Sequence, residues 1–141
     1  MTVYCDTSLL VAALAQEPAS ERIFEWLEGC DAGTLFISDW TVTEFSSAIA
    51  LKFRAGHLNA EERAAVLAAW AMHQKTSLTM VPVVSAHFTT AAIYAERADL
   101  GLRAGDALHL AIAAANGCSL ATLDSMQRKA AVELGIPCKR L

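Results

Sequence analysis

Short apolar, β-rich runs alternate with helical stretches along this chain, and that alternation constrains its fold more than any other feature. TVYC (2–5) is followed by the helical LLVAALA (9–15) and by SERIFEWLEG (20–29), with Ile23, Phe24 and Leu27 at i, i+1, i+4 and Gly29 as a stop. TLFIS (34–38) leads into a helix from Trp40 to Arg54, ended by Gly56. Asn59-Ala-Glu-Glu opens a long helix to about Gln74, carrying Val66, Leu67 and Trp70 along one side. LTMVPVV (78–84) is a third strand, whose Pro82 marks an edge position or a strand end. Helices from about Ala86 to Leu100 and from Asp106 to Asn116 follow, then SLATL (119–123), a helix over 125–134 and a short strand near Pro137-Cys-Lys-Arg. Strands joined by helices pair in parallel and need cover on both faces. The expectation is one α/β domain over residues 1–141, a three-layer α/β/α sandwich about a mainly parallel sheet. Such sheets bind ligands outside the carboxyl ends of their strands.

Composition narrows the class. Hydrophobic residues make up 55% of the 141 and charged residues only 18%, enough for a sizeable core and too apolar for a disordered chain. No apolar run reaches the roughly 20 residues of a bilayer span, and MTVYCDTSLL has no basic start and carries an Asp where a leader would be apolar. A cytoplasmic protein with no membrane partner is expected. Cys5, Cys30, Cys118 and Cys138 show no CxxC spacing, and three lie in or beside apolar strand-like runs, so they read as reduced core thiols. His57, His73, His87 and His109 form no HxxxH or HExxH pair, which argues against zinc.

The acidic residues carry the chemistry. Asp6 follows the first strand directly, Glu44 lies early in the helix after the second, Asp106 opens the apolar GDALHLAIAAA, and Asp124 ends the fourth strand. Each alone has a structural explanation: Asp6 as a cap, Thr41 and Glu44 as a capping box, Asp106 as a cap or dipole partner, Asp124 and Gln127 as a box-like start. Together they converge on one sheet edge. Clustered carboxylates repel or take up protons unless cations sit among them, and hard oxygen donors suit magnesium or manganese. The chain holds 15 acidic and 11 basic residues, so without these four the charges balance at 11 and 11. The acidic balance argues against a broad basic surface coating nucleic acid, yet permits an enzyme whose metals neutralise the site.

The order of Asp in VYCDTSLL, Glu in TVTEF, Asp in GDALHLAIA and Asp in LATLD resembles the PIN-domain ribonucleases, in particular the VapC-type toxins of toxin–antitoxin modules. The resemblance runs from Val3 to the end of the chain. It implies a PIN-like fold and a magnesium-dependent endoribonuclease, manganese being the alternative ion. The acidic set that would hold the metal and act in catalysis is Asp6, Glu44, Asp106 and Asp124, with Ser8 and Thr122 as polar supporters. It implies an RNA substrate, self-association and a small antitoxin over the active groove. Two metals in such a site activate water for in-line hydrolysis, so no residue serves as covalent nucleophile and the residues alone do not decide between RNA and DNA. Other readings remain: a non-catalytic PIN-like binding module, or a housekeeping or DNA-directed nuclease. A haloacid-dehalogenase phosphatase needs a second Asp where Ser8 stands, and a receiver domain needs an acidic pair where Cys5-Asp6 supplies one acid.

His109, one turn after Asp106 on the same face, reads as a core histidine, with support of the site as the alternative. Arg103, three residues before Asp106, and Arg128, four after Asp124, are the candidates for phosphate contact; the other basic residues read as solvated surface. Trp40 stands between strand two and Glu44 without an evident role. Phe24, Trp26, Leu27, Leu67 and Trp70 look too numerous for one chain of this size to cover, which predicts a homodimer.

Overall fold

A computed structural model describes residues 1–141. Four strands, β1 (Val3–Cys5), β2 (Leu35–Ser38), β3 (Thr79–Val81) and β4 (Ser119–Ala121), form one all-parallel sheet in the order β3-β2-β1-β4. The helices are α1 (Thr7–Leu14), α2 (Ser20–Glu28), α3 (Asp39–Arg54), α4 (Ala60–Thr76), α5 (Ser85–Glu96), α6 (Ala104–Ala115) and α7 (Ser125–Glu133). None is long and apolar enough to cross a membrane.

The period-two alternation of the strands divides the core. Val3, Cys5, Leu35, Ile37 and Ala121 face one apolar cluster shared with residues of α1 to α4. Tyr4 and Leu120 face a second cluster, built largely from α5, α6 and α7. The expected α/β/α layering is thus present, with both faces of the sheet buried. All four cysteines are free thiols.

Local signals set the boundaries. Asn59 and Glu62 cap α4 reciprocally at 2.8 and 3.0 Å. Pro82, which has no N–H to donate, follows the last residue of β3, and β3 is indeed an edge strand, shorter than the 78–84 run suggests. The helix expected over 86–100 breaks after Glu96 into a 3-10 turn (Ala98–Leu100), closed by Gly101 at φ 63°. The expected last strand reduces to one parallel bridge between Leu120 and Cys138.

The apolar residues behind the expected dimer lie within one chain. Trp70 is 3% exposed and stacks on Phe45 with ring centroids 4.2 Å apart, while Trp26, Leu27 and Leu67 are half-buried against the same core. Phe24 alone of the five remains exposed. The sequence underrated how much apolar surface α1 to α4 cover among themselves. The exposed large apolar residues include Val84, Phe88 and Ile93 on and beside α5.

Candidate active site

The strand order reverses at β1, which has β2 on one side and β4 on the other. Asp6 leaves β1 at this point and is 4% exposed. Asp124 follows β4, Glu44 projects from the second turn of α3, and Asp106 is the third residue of α6, which starts at Ala104 rather than at Asp106. All four carboxylates line one open cleft of about 540 Å³, together with Thr7 and Ser8.

Hydroxyls and helix starts hold the acids in place. Asp6 caps α1: its Oδ2 accepts from Ser8 N at 3.1 Å, Ser8 Oγ at 2.6 Å and Thr122 Oγ1 at 3.1 Å. Ser8 and Thr122, the two polar residues singled out beside the acids, both donate to Asp6. Asp124 caps α7 by accepting from Met126 N and Gln127 N at 2.9 and 3.2 Å. Gln127 does not close that box; its Nε2 reaches Asp6 Oδ1 and the Asp106 carbonyl, each at 3.4 Å. Glu44 takes no part in a capping box either, because α3 is capped by Ser38 with Thr41. Its carboxylate instead accepts from Thr7 Oγ1 at 2.7 Å.

His109 is fully buried, as a core histidine would be, yet it belongs to this cluster. Its Nε2 is hydrogen-bonded to Glu44 Oε1 and stands 3.4 Å from Asp6 Oδ1, while Nδ1 is 2.8 Å from Tyr4 Oη. Burial alone would lower the imidazole's pKa. The Glu44 hydrogen bond and the charges of Asp6, Glu44 and Asp106 overcome that and hold it above the ordinary value. Thr7, Tyr4 and Gln127 carried no functional signal in the sequence, since each meets its partner across the fold. Gly105 also matters: a Cβ there would lie 2.8 Å from Glu44 Oε2 and 3.3 Å from Trp40 Cζ2, so a side chain at this position would displace both.

The donor set fits a divalent cation. Donor atoms of Asp6, Glu44 and His109 lie within 4.8 Å of one another. Half-burial, then the charges of Asp6, Asp124 and Glu44, raise the pKa of the Asp106 carboxyl, which the charge on His109 partly offsets. Gln127 leaves its buried Oε1 without a hydrogen-bond partner. Arg103 is exposed at the N-cap of α6 and does not line the cleft. Arg128 donates to the Thr122 carbonyl at 2.8 Å and lines a second cleft of about 570 Å³ with Arg22 and Lys129. The two clefts adjoin at Leu123.

An all-parallel sheet with acids gathered at its carboxyl edge defines the class: α/β/α proteins that place their site at the strand ends. Within that class the chain belongs to the PIN-domain family, whose model matches residues 3–133. Among solved structures it is similar to Mycobacterium tuberculosis VapC20, a sarcin–ricin loop cleaving toxin, at 20% identity and TM-score 0.73, covering 92% of this chain and 95% of that one. It is also similar to FitAcB from Neisseria gonorrhoeae, at 21% identity and TM-score 0.70, covering 99% and 97%. A third is VapBC2 from Rickettsia felis, bound to a DNA fragment from their promoter, at 15% identity and TM-score 0.67, covering 99% and 98%. No curated protein matches the chain.

The raised Asp106 carboxyl makes a prediction with a definite sign. The folded state binds this proton more tightly than the unfolded chain, so ionised Asp106 weakens the metal-free fold, and the penalty fades as pH falls through the raised pKa. With chelator present, Asp106→Asn is expected to melt at higher temperature than the parent near neutral pH, the gap closing towards about pH 4, the ordinary range of a carboxylate. An equal gap at both pH values would mean that Asp106 carries no such charge penalty.

Proposed function

We propose that this chain is a divalent-metal-dependent endoribonuclease and the toxin of a toxin–antitoxin pair. The observation that carries the reading is the convergence of Asp6, Glu44, Asp106 and Asp124 on one cleft. These acids would hold magnesium or manganese, which when bound supplies the charge neutralisation and Lewis acidity that phosphodiester hydrolysis requires. Ser8 and Thr122 orient Asp6, Thr7 orients Glu44, and Gln127 ties Asp6 to the start of α6. RNA as substrate rests on the family resemblance and on a structural relative that cleaves the sarcin–ricin loop.

The cleft of Arg22, Arg128 and Lys129 supports a polyanionic substrate: a strand with its scissile phosphate among the acids would pass over Leu123 into positive charge. Arg128 is the better placed of the two phosphate-contact candidates; Arg103 would meet only a strand leaving past the start of α6. An antitoxin partner is supported by relatives solved as toxin–antitoxin assemblies. An Arg or Lys of such a partner, docked near Asp6 and Asp106, would pair with the carboxylates or take a metal's place. For the homodimer the support now comes from the exposed apolar residues Val84, Phe88 and Ile93 rather than from α2 and α4.

End-mapped cleavage of RNA with magnesium and with chelator tests the activity. The parent is expected to cut internally only with the metal, and Asp106→Asn, which keeps size and removes charge, to lose orders of magnitude in rate; an Asn variant as fast as the parent would overturn the site. Arg22→Gln and Lys129→Gln are each expected to weaken RNA binding and to lower the salt slope by about 0.7. An unchanged slope would remove the cleft from the substrate's path. Light scattering at micromolar concentration is expected to give twice the chain mass for the parent and a single mass for Phe88→Asp; a monomeric parent would dismiss the dimer.

A further inference from the structure

We propose that the His109 imidazole is a nitrogen ligand of this metal site, steadied by Tyr4, and that the site therefore favours manganese and later first-row divalent ions over magnesium. The inference rests on the metal-dependent reading above and adds a donor that the acidic set alone does not contain.

The placement of the ring carries the argument. His109 is three residues after Asp106 on α6 and wholly buried, so solvent cannot satisfy either nitrogen. Nδ1 is taken by Tyr4 Oη at 2.8 Å, and that hydroxyl is itself 2.8 Å from Ser38 Oγ and 3.2 Å from Thr41 Oγ1. The other nitrogen, Nε2, points between two carboxylates, bonded to Glu44 and 3.4 Å from Asp6 Oδ1, with the Thr7 hydroxyl 3.3 Å away. The ring thus has one nitrogen on a hydroxyl and the other among the acids of the cleft. Metal-binding histidines characteristically have one nitrogen on the ion and the other held by an outer hydrogen-bond partner that fixes ring and tautomer. Tyr4 fills that outer position: with an ion in place of the Nε2 proton that now bonds Glu44, Nδ1–H would donate to Tyr4 Oη and the Nε2 lone pair would face the ion.

A nitrogen donor changes selectivity. Magnesium is hard, holds its water tightly and takes oxygen ligands, whereas imidazole nitrogen raises affinity along the series from manganese to cobalt and beyond. His57, His73 and His87 are placed elsewhere: His57 is exposed, His73 packs edge-on against Phe24, and His87 accepts from Val84 N at the start of α5. Nitrogen coupling from a bound ion would therefore come from His109.

Pulsed electron paramagnetic resonance on the whole chain loaded with manganese reads the ligand directly. The expected result is a nitrogen coupling that changes when histidine is labelled with ¹⁵N in the unmutated protein. It should vanish in His109→Gln, whose amide oxygen replaces the nitrogen. Calorimetric titration is expected to show the manganese-to-magnesium affinity ratio falling at least about tenfold in His109→Gln. Tyr4→Phe is expected to keep the coupling while weakening manganese by about tenfold, the scale of outer-partner losses. Manganese that binds and is lost in Asp6→Asn, but shows no histidine nitrogen, would overturn the ligand while leaving the nuclease reading intact. Failure of the parent to bind manganese or magnesium at all would overturn both.

Discussion

A buried phenol must find hydrogen-bond partners, and the hydroxyl of Tyr4, fully enclosed in the middle of the sheet, is the knot on which the site depends. Val3 and Cys5 turn towards α1–α4, so strand alternation sends Tyr4 to the opposite face. There its hydroxyl meets Ser38 and Thr41, which start α3, and His109 on α6. Burial drives the phenol pKa far up, so it remains a neutral hydroxyl able both to donate and to accept. One side chain thereby sets the central strand, the helix bearing Glu44 and the helix bearing Asp106 in a common frame. Losing that group would leave buried polar atoms unpaired on three elements at once.

Repulsion among the carboxylates is contained by giving each acid a second task. Asp6 accepts its capping bonds through Oδ2 and turns Oδ1 towards His109 and Gln127. Asp124 satisfies two backbone N–H groups of α7, and Asp106 lies in the first turn of α6, where the helix dipole favours negative charge. For Asp6 and Asp124, capping and a place in the cleft, which look like rival explanations in the sequence, are the same arrangement. Helix starts tolerate the concentration of charge that the cleft needs.

Much of this was legible beforehand, and the reasons are local. Apolar strand runs, a Gly or Asn at helix boundaries and acids at strand ends are all read within a few residues, which is why the layering and the placing of Asp6 and Asp124 emerged from sequence. Thr41 and Glu44 misled because their spacing satisfies a capping pattern, while Ser38, one residue before α3, had the better claim on Thr41. The roles of Thr7, His109 and Gln127 were out of reach for a different reason. Thr7 meets Glu44 across 37 positions, His109 meets Tyr4 across 105, and Gln127 meets Asp6 across 121. The supposed excess of aromatics failed similarly, since Trp70 stacks on Phe45, which no periodicity pairs with it.

Gly105 lines an apolar groove beside the acidic cleft. A Cβ there would meet both the Glu44 carboxylate of the cleft and the indole of Trp40, which borders a shallow apolar groove of about 310 Å³ with Phe88 and Leu108. The absence of a side chain at position 105 lets the acid and the indole approach the same stretch of α6. A methyl group added at position 105 would therefore press on the acid and on the indole together.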